Sequence, residues 1–115
     1  MVAMPNKNDI LRILGLAMRA GRLESGFDGC MKAVSAGDAK LMIISTDISQ
    51  NTLKKLTEAI AKSGSEIGAY SFAGSFELGR AIGKPDRALI AITDDGFAEK
   101  LDKMLSEYDE TEDDK

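Results

Sequence analysis

The sequence predicts an α/β fold with helices packed on both faces of one sheet. Two observations carry that expectation. The runs Lys40-Leu-Met-Ile-Ile-Ser45 and Arg87-Ala-Leu-Ile-Ala-Ile92 are continuously apolar, as strands covered on both sides are. Segments with apolar residues at helical spacing separate and flank them. Alternation of this kind builds a three-layer α/β/α sandwich. With 115 residues and no linker, the chain is one domain, residues 1–106, followed by a disordered acidic tail, residues 107–115. A chain of this length buries roughly two-thirds of its unfolded surface and needs no staple.

Each element has a local reason. Asn6 caps a first helix with Asp9 at its third position, and Ile10, Leu11, Ile13, Leu14 and Ala17 form its apolar face until Gly21. An extended stretch, Arg22 to Ser25, leads to Gly26. A second helix runs from Phe27 to Ala36, burying Met31 and Val34, and Gly37 ends it. After the first apolar strand, Ser49 to Ser63 is helical, with Leu53, Leu56 and Ile60 inward and Gly64 as terminator. Ile67 to Phe72 reads as a strand of mixed polarity, and Ser75 to Ile82 as a short helix ended by Gly83. The last helix, Asp95 to Ser106, presents Phe97, Leu101, Met104 and Leu105 after the second apolar strand. The segments Gly37 to Asp47 and Gly83 to Asp94 echo one another, a likeness that shared α/β grammar explains better than duplication.

Composition excludes several functions. With no His and one Cys there is no Ser-His-Asp or Cys-His nucleophile system, no zinc finger and no disulfide framework. No apolar run approaches the ~20 residues of a membrane span, and Met1 to Lys7 lacks the apolar stretch of an export signal. The expectation is a cytoplasmic protein with no membrane partner. The net charge of -4 is unevenly placed. Glu107 to Lys115 carries six acids and one Lys, whereas residues 1–106 hold 14 basic and 13 acidic side chains. Such a tail solubilises, or it competes with phosphate for a basic face.

An enzyme finds little support. The glycines of Gly21-Arg-Leu-Glu-Ser-Gly-Phe-Asp-Gly29 match neither a dinucleotide nor a nucleotide phosphate loop, since Phe27 and Asp28 stand where Lys and Ser/Thr belong. Asp94 and Asp95 read as helix caps before a cation site, and Cys30 as a half-buried thiol before a nucleophile. Glu24 and Asp28 flank Gly26, but nothing puts this acid/base candidate in a cleft. No cofactor, metal or small-molecule substrate is expected. Binding fares better. Arg19, Arg22 and Lys32 bracket the turn at Gly26, where the backbone can approach a ligand and the next helix offers its first amides to phosphate. Arg80, Lys84 and Arg87 surround a second turn at Gly83 and Pro85. Two glycine turns with basic flanks suit an RNA face, although singly each residue is an ordinary surface charge.

Leu14-Gly-Leu-Ala-Met-Arg-Ala-Gly-Arg-Leu-Glu-Ser-Gly26, Lys32-Ala-Val and Leu78-Gly-Arg-Ala-Ile-Gly83 resemble the L-seven-Ae/L-thirty-e ribosomal-protein family, its small bacterial members in particular. The similarity runs from about Ile10 to Leu105. It implies a mixed four-stranded sheet and a non-catalytic, monomeric protein. The implied ligand is kink-turn or other structured RNA, ribosomal RNA included. A kink-turn is a bent helix–internal loop–helix with tandem sheared G·A pairs. The family pattern Gly-Thr-Asn-Glu-x-x-Lys at the RNA groove reads here Gly26-Phe-Asp-Gly-Cys-Met-Lys32. Gly26 and Lys32 match, Asp28 replaces the Asn that meets guanine, and Gly29 replaces the Glu. The resemblance therefore implies an RNA site of Gly26, Asp28, Gly29 and Lys32, flanked by Ser25 and Phe27. Arg22 and Lys84 would meet phosphates, and Pro85 and Arg87 sit in the loop that packs on an extruded nucleotide. Losing base contacts worth ~1–3 kcal/mol each weakens such binding. The alternative is a protein-interaction module on the same fold that has lost kink-turn binding. A kinship with the accessory RNA-recognition domain of ribosomal-RNA methyltransferases would be structural only.

Overall fold

A computed structural model describes residues 4–108, so all of the acidic tail beyond Tyr108 lies outside the described residues. Helix α1 (Lys7–Arg19) starts from a capping box. Asn6 Oδ1 accepts from the Asp9 amide at 2.9 Å, and Asp9 Oδ2 accepts from the Asn6 amide at 3.1 Å. Strand β1 (Leu23–Ser25) leads into α2 (Phe27–Ala36), and β2 (Leu41–Ile44) into α3 (Gln50–Ser63), which Ser49 caps. Then come β3 (Gly68–Ser71), α4 (Ser75–Ala81), β4 (Leu89–Ile92) and α5 (Asp95–Glu107). Asp94 caps α5 by accepting from the Phe97 amide at 2.9 Å, the role its position predicts. Helix α5 continues one residue past the expected end, through Glu107. Tyr108 then packs edge-on against Phe72, with ring centroids 5.3 Å apart.

The four strands order as β1-β4-β2-β3. Strands β1 and β2 are antiparallel to β4, whereas β2 and β3 are parallel, giving the mixed sheet that the resemblance implies. Along β4 the side chains alternate. Ile90 and Ile92 join a core with α1, α4 and α5, and Leu89 and Ala91 join a second core with α2 and α3. The sheet is thus covered on both sides, which is why its central strands read as unbroken apolar runs. No helix among the described residues is long and apolar enough to cross a membrane.

Three burial expectations need correction. Cys30 is wholly buried, because it faces the sheet with Ala33 and Val34, three and four residues on. Met31, expected inside, is only partly covered. Leu53 is 39% exposed: α3 lies on the sheet through Leu56, Ala59 and Ile60, and Leu53 falls at the margin of that stripe in the first turn. The register places Ser25 opposite Ile90, and Ile44 opposite both Leu89 and Ser71. The ends of β1, β2 and β3 therefore meet the start of β4 at one end of the sheet.

Candidate nucleic-acid interface

At that end, the turn from β1 into α2 is made by Gly26, with φ 83° and ψ 167°. This backbone region is closed to side-chain-bearing residues at a cost of about 1–3 kcal/mol. The Gly26 amide donates to the Leu89 carbonyl at 2.9 Å, tying the turn to β4, and its carbonyl accepts from the Cys30 amide at 3.0 Å. No side chain caps α2, so its first-turn amides are available to an incoming anion.

The second basic turn comes to the same place. The Arg87 amide donates to the Ser75 carbonyl at 2.9 Å, and its guanidinium bonds the Asp86 carbonyl at 3.1 Å. Arg87 Nε donates to Ser25 Oγ at 3.2 Å and lies 3.7 Å from where a Cβ on Gly26 would stand. Lys84 and Pro85 are exposed beside it. Their loop is held by Gly79, whose carbonyl accepts from the Lys84 amide at 2.8 Å. A Cβ on Gly79 would collide with the Pro85 carbonyl, so α4 and this loop are in backbone contact.

Other partners were not visible in the sequence. Asp47 does not cap α3, a role that Ser49 fills. Its carboxylate instead accepts from the Ser75 amide at 3.1 Å and the Ser75 hydroxyl at 2.8 Å. The Asp47 carboxyl is held below the ordinary carboxylate range by the neighbouring Ser45 hydroxyl and by Ser75. The Ser45 hydroxyl is buried and falls short of hydrogen-bond geometry, so the two Ser75 contacts are the firmer cause. Between them, Ala73 takes a left-handed conformation at φ 59°, with its carbonyl accepting from the Thr46 amide at 2.8 Å. Phe27 is half exposed, and the Lys55 ammonium of α3 stands 5.6 Å from its ring centroid, a cation–π pair. No local signal links residues this far apart in sequence.

Around the flank of β1 the arrangement changes. Lys32, Gly29 and Glu24 line a groove of about 400 Å³ with Asp38 and Thr93. Glu24 Oε1 would stand 3.4 Å from a Cβ on Gly29, so a β1 carboxylate occupies the space beside that bare position. Asp28 is exposed in the first turn of α2. The Arg22 backbone stands at the opposite end of β1 from Gly26. Its carbonyl accepts from the Thr93 amide at 3.0 Å, roughly 13 Å from Gly26 by strand rise. Burial pushes the Cys30 thiol up to about 12, which keeps it protonated and unsuited to nucleophilic chemistry. Among the described residues no group of three or more acids and cysteines is placed to hold a metal.

The profile of the ribosomal protein L7Ae/L30e/S12e/Gadd45 family matches residues 8–102. The RNA-binding protein YlxQ of Bacillus subtilis is 39% identical over 93 residues, spanning 81% of this chain and 91% of that protein. A solved Bacillus halodurans protein of unknown function superposes with a TM-score of 0.74 at 37% identity, over 85% of this chain and 97% of that one. A Giardia lamblia 15.5kD RNA binding protein shares the fold, with a TM-score of 0.67 at 20% identity over 91% of each chain.

Proposed function

Because this chain belongs to the ribosomal protein L7Ae/L30e/S12e/Gadd45 family, we propose that it is a non-catalytic cytoplasmic protein that binds structured RNA, kink-turn RNA foremost. The observation that carries this reading is the convergence of the basic loop from Lys84 to Arg87 on the glycine turn at Gly26. Arg87 reaches across to Ser25 and lies over Gly26, although the residues are 62 apart in the chain. In this reading the bare Gly26 lets the RNA backbone come close, and the uncapped amides of α2 meet a phosphate. Lys84 and Arg87 add cationic contacts, Pro85 packs on an extruded nucleotide, and Lys32 extends along the groove. The Asp28 carboxylate accepts from guanine N–H groups where the family pattern has Asn. Recognition of this kind is by RNA shape, as folded RNA generally requires.

The test is a titration into a kink-turn RNA beside a control whose sheared G·A pairs are converted to Watson–Crick pairs. The expected result is a clear preference for the kink-turn, weakened at least fivefold by Lys32→Ala. Equal weak binding to both RNAs would leave only a basic surface. The departures at Asp28 and Gly29 favour a second reading, a protein-interaction module. Absence of RNA binding, with a pull-down partner retained after nuclease treatment, would select it.

A further inference from the structure

Phe76 is 64% exposed, more than any other large apolar side chain among the described residues, and no feature of the interface above uses it. It lies in a groove of about 500 Å³ between α1 and α4, with Leu11 and Ala81 as aliphatic lining and Arg12 and Arg80 as cations. Phe76 and Arg80 are four residues apart on α4 and so share one face. The acidic groups here are already engaged. Glu77 pairs with Lys7 at 3.4 Å and accepts from the Gly74 amide at 3.2 Å, and Asp9 pairs with Arg12 at 3.6 Å while capping α1. Arg80 has no carboxylate within ion-pair distance among the described residues. The groove also adjoins the proposed RNA face. Ser75, the residue before Phe76, holds Asp47 and the Arg87 amide, and Gly79, the residue before Arg80, holds the Lys84 amide.

An exposed aromatic ring beside an unengaged guanidinium, at the margin of a phosphate-binding face, matches the chemistry of an unpaired nucleotide. The ring stacks on a base, and the cation meets its phosphate. We propose that this groove binds a single-stranded nucleotide flanking the structured RNA, its base on Phe76 and its phosphate at Arg80 and Arg12. The proposal rests on the RNA-binding reading and adds a second, separable contact.

The experiment compares a blunt-ended kink-turn RNA with the same RNA carrying a short single-stranded extension at each end in turn. For the unaltered protein, one extension should tighten binding about five- to tenfold, within the range of one stacked base. Phe76→Ser should abolish that gain while leaving blunt-RNA affinity within about twofold, Arg80→Gln should reduce the gain, and Phe76→Trp should retain it. A thermal melt confirms that each variant is folded. No gain from either extension, or an equal loss on both RNAs in Phe76→Ser, would overturn the proposal while the kink-turn preference stood. Conversely, loss of kink-turn preference with a uridine hexanucleotide still shifting the Phe76 ring resonances would remove the kink-turn reading and keep the groove. Silence of those resonances as well would overturn both.

Discussion

Gly29 is a position where an absent side chain shapes its neighbours. Glu24 from β1 already occupies the adjoining space, 3.4 Å from a Cβ at that site. Restoring the family's residues is therefore not simply additive. Asp28→Asn alone, which removes a negative charge beside phosphates and keeps an acceptor, should tighten kink-turn binding severalfold. Adding Gly29→Glu should give part of that gain back, because it sets a second carboxylate against Glu24. The titration reads both, and a further gain from the double variant would show that Glu24 moves aside. Cys30 makes a different prediction. Its thiol is raised from an ordinary value of 9.0 to about 12 by burial, against the lowering effect of a backbone contact at Ala91 and with a smaller raising effect from the Glu24 charge. The folded state thus holds this proton more tightly than the unfolded chain. The contribution to stability is complete below about pH 9 and is lost as pH rises toward 12. Denaturation midpoints should fall across that window in the unaltered protein and fall less in Cys30→Ala. At pH 8 iodoacetamide should label Cys30 only once the chain unfolds, as mass spectrometry would record.

Helix α4 has seven residues, yet it positions most of the second turn. Gly79 is its point of contact with the loop, since a Cβ there would collide with the Pro85 carbonyl and stand 2.9 Å from that of Lys84. Gly79→Ala should cost about 1–3 kcal/mol in stability, the usual range for overpacking, and should weaken RNA binding by displacing Arg87 from Ser25. Chemical denaturation and the same titration check the two halves; a variant of full stability with unchanged affinity would show the loop to be pliant. This element also marks how much the sequence could disclose. The helices were readable because their signals are local: Asn6, Ser49 and Asp94 cap them, and Gly37 and Gly64 close two of them. The apolar runs of β2 and β4 announced a sheet covered on both faces. Family likeness, not periodicity, pointed to Gly26, Lys32 and Arg87 as one site. What brings Arg87 to Ser25, Asp47 to Ser75 and Lys55 to Phe27 is strand order and helix packing across distant segments, and no spacing rule encodes that. Arg22 is near Gly26 in sequence, but its backbone stands at the other end of the extended β1.

Across the molecule, residues 1–108 carry 14 basic and 14 acidic side chains, so attraction to RNA rests on where charges sit and not on their sum. On the proposed reading, in which Lys32, Lys84 and Arg87 meet phosphates, the logarithm of affinity should fall against the logarithm of salt with a slope between about -2 and -3. We read the acids from Asp109 to Asp114 as competitors for that face. A chain truncated after Tyr108, which keeps the Tyr108–Phe72 contact, should bind more tightly at low salt and equally at high salt. For the chain truncated after Tyr108, a slope shallower than about -2 would remove one of the three cations, and no gain on truncation would remove the competition. The strand order has a bearing on synthesis as well. Strand β1 pairs with β4 alone, so the first strand translated waits for the last. A nascent chain that has emerged only as far as Gly83 already contains α2 and Lys32, but it has neither the Leu89 carbonyl that fixes Gly26 nor the guanidinium that reaches Ser25. The geometry of the Gly26 turn is thereby completed only once the chain through Leu89 has been made, so its first and last strands are finished together.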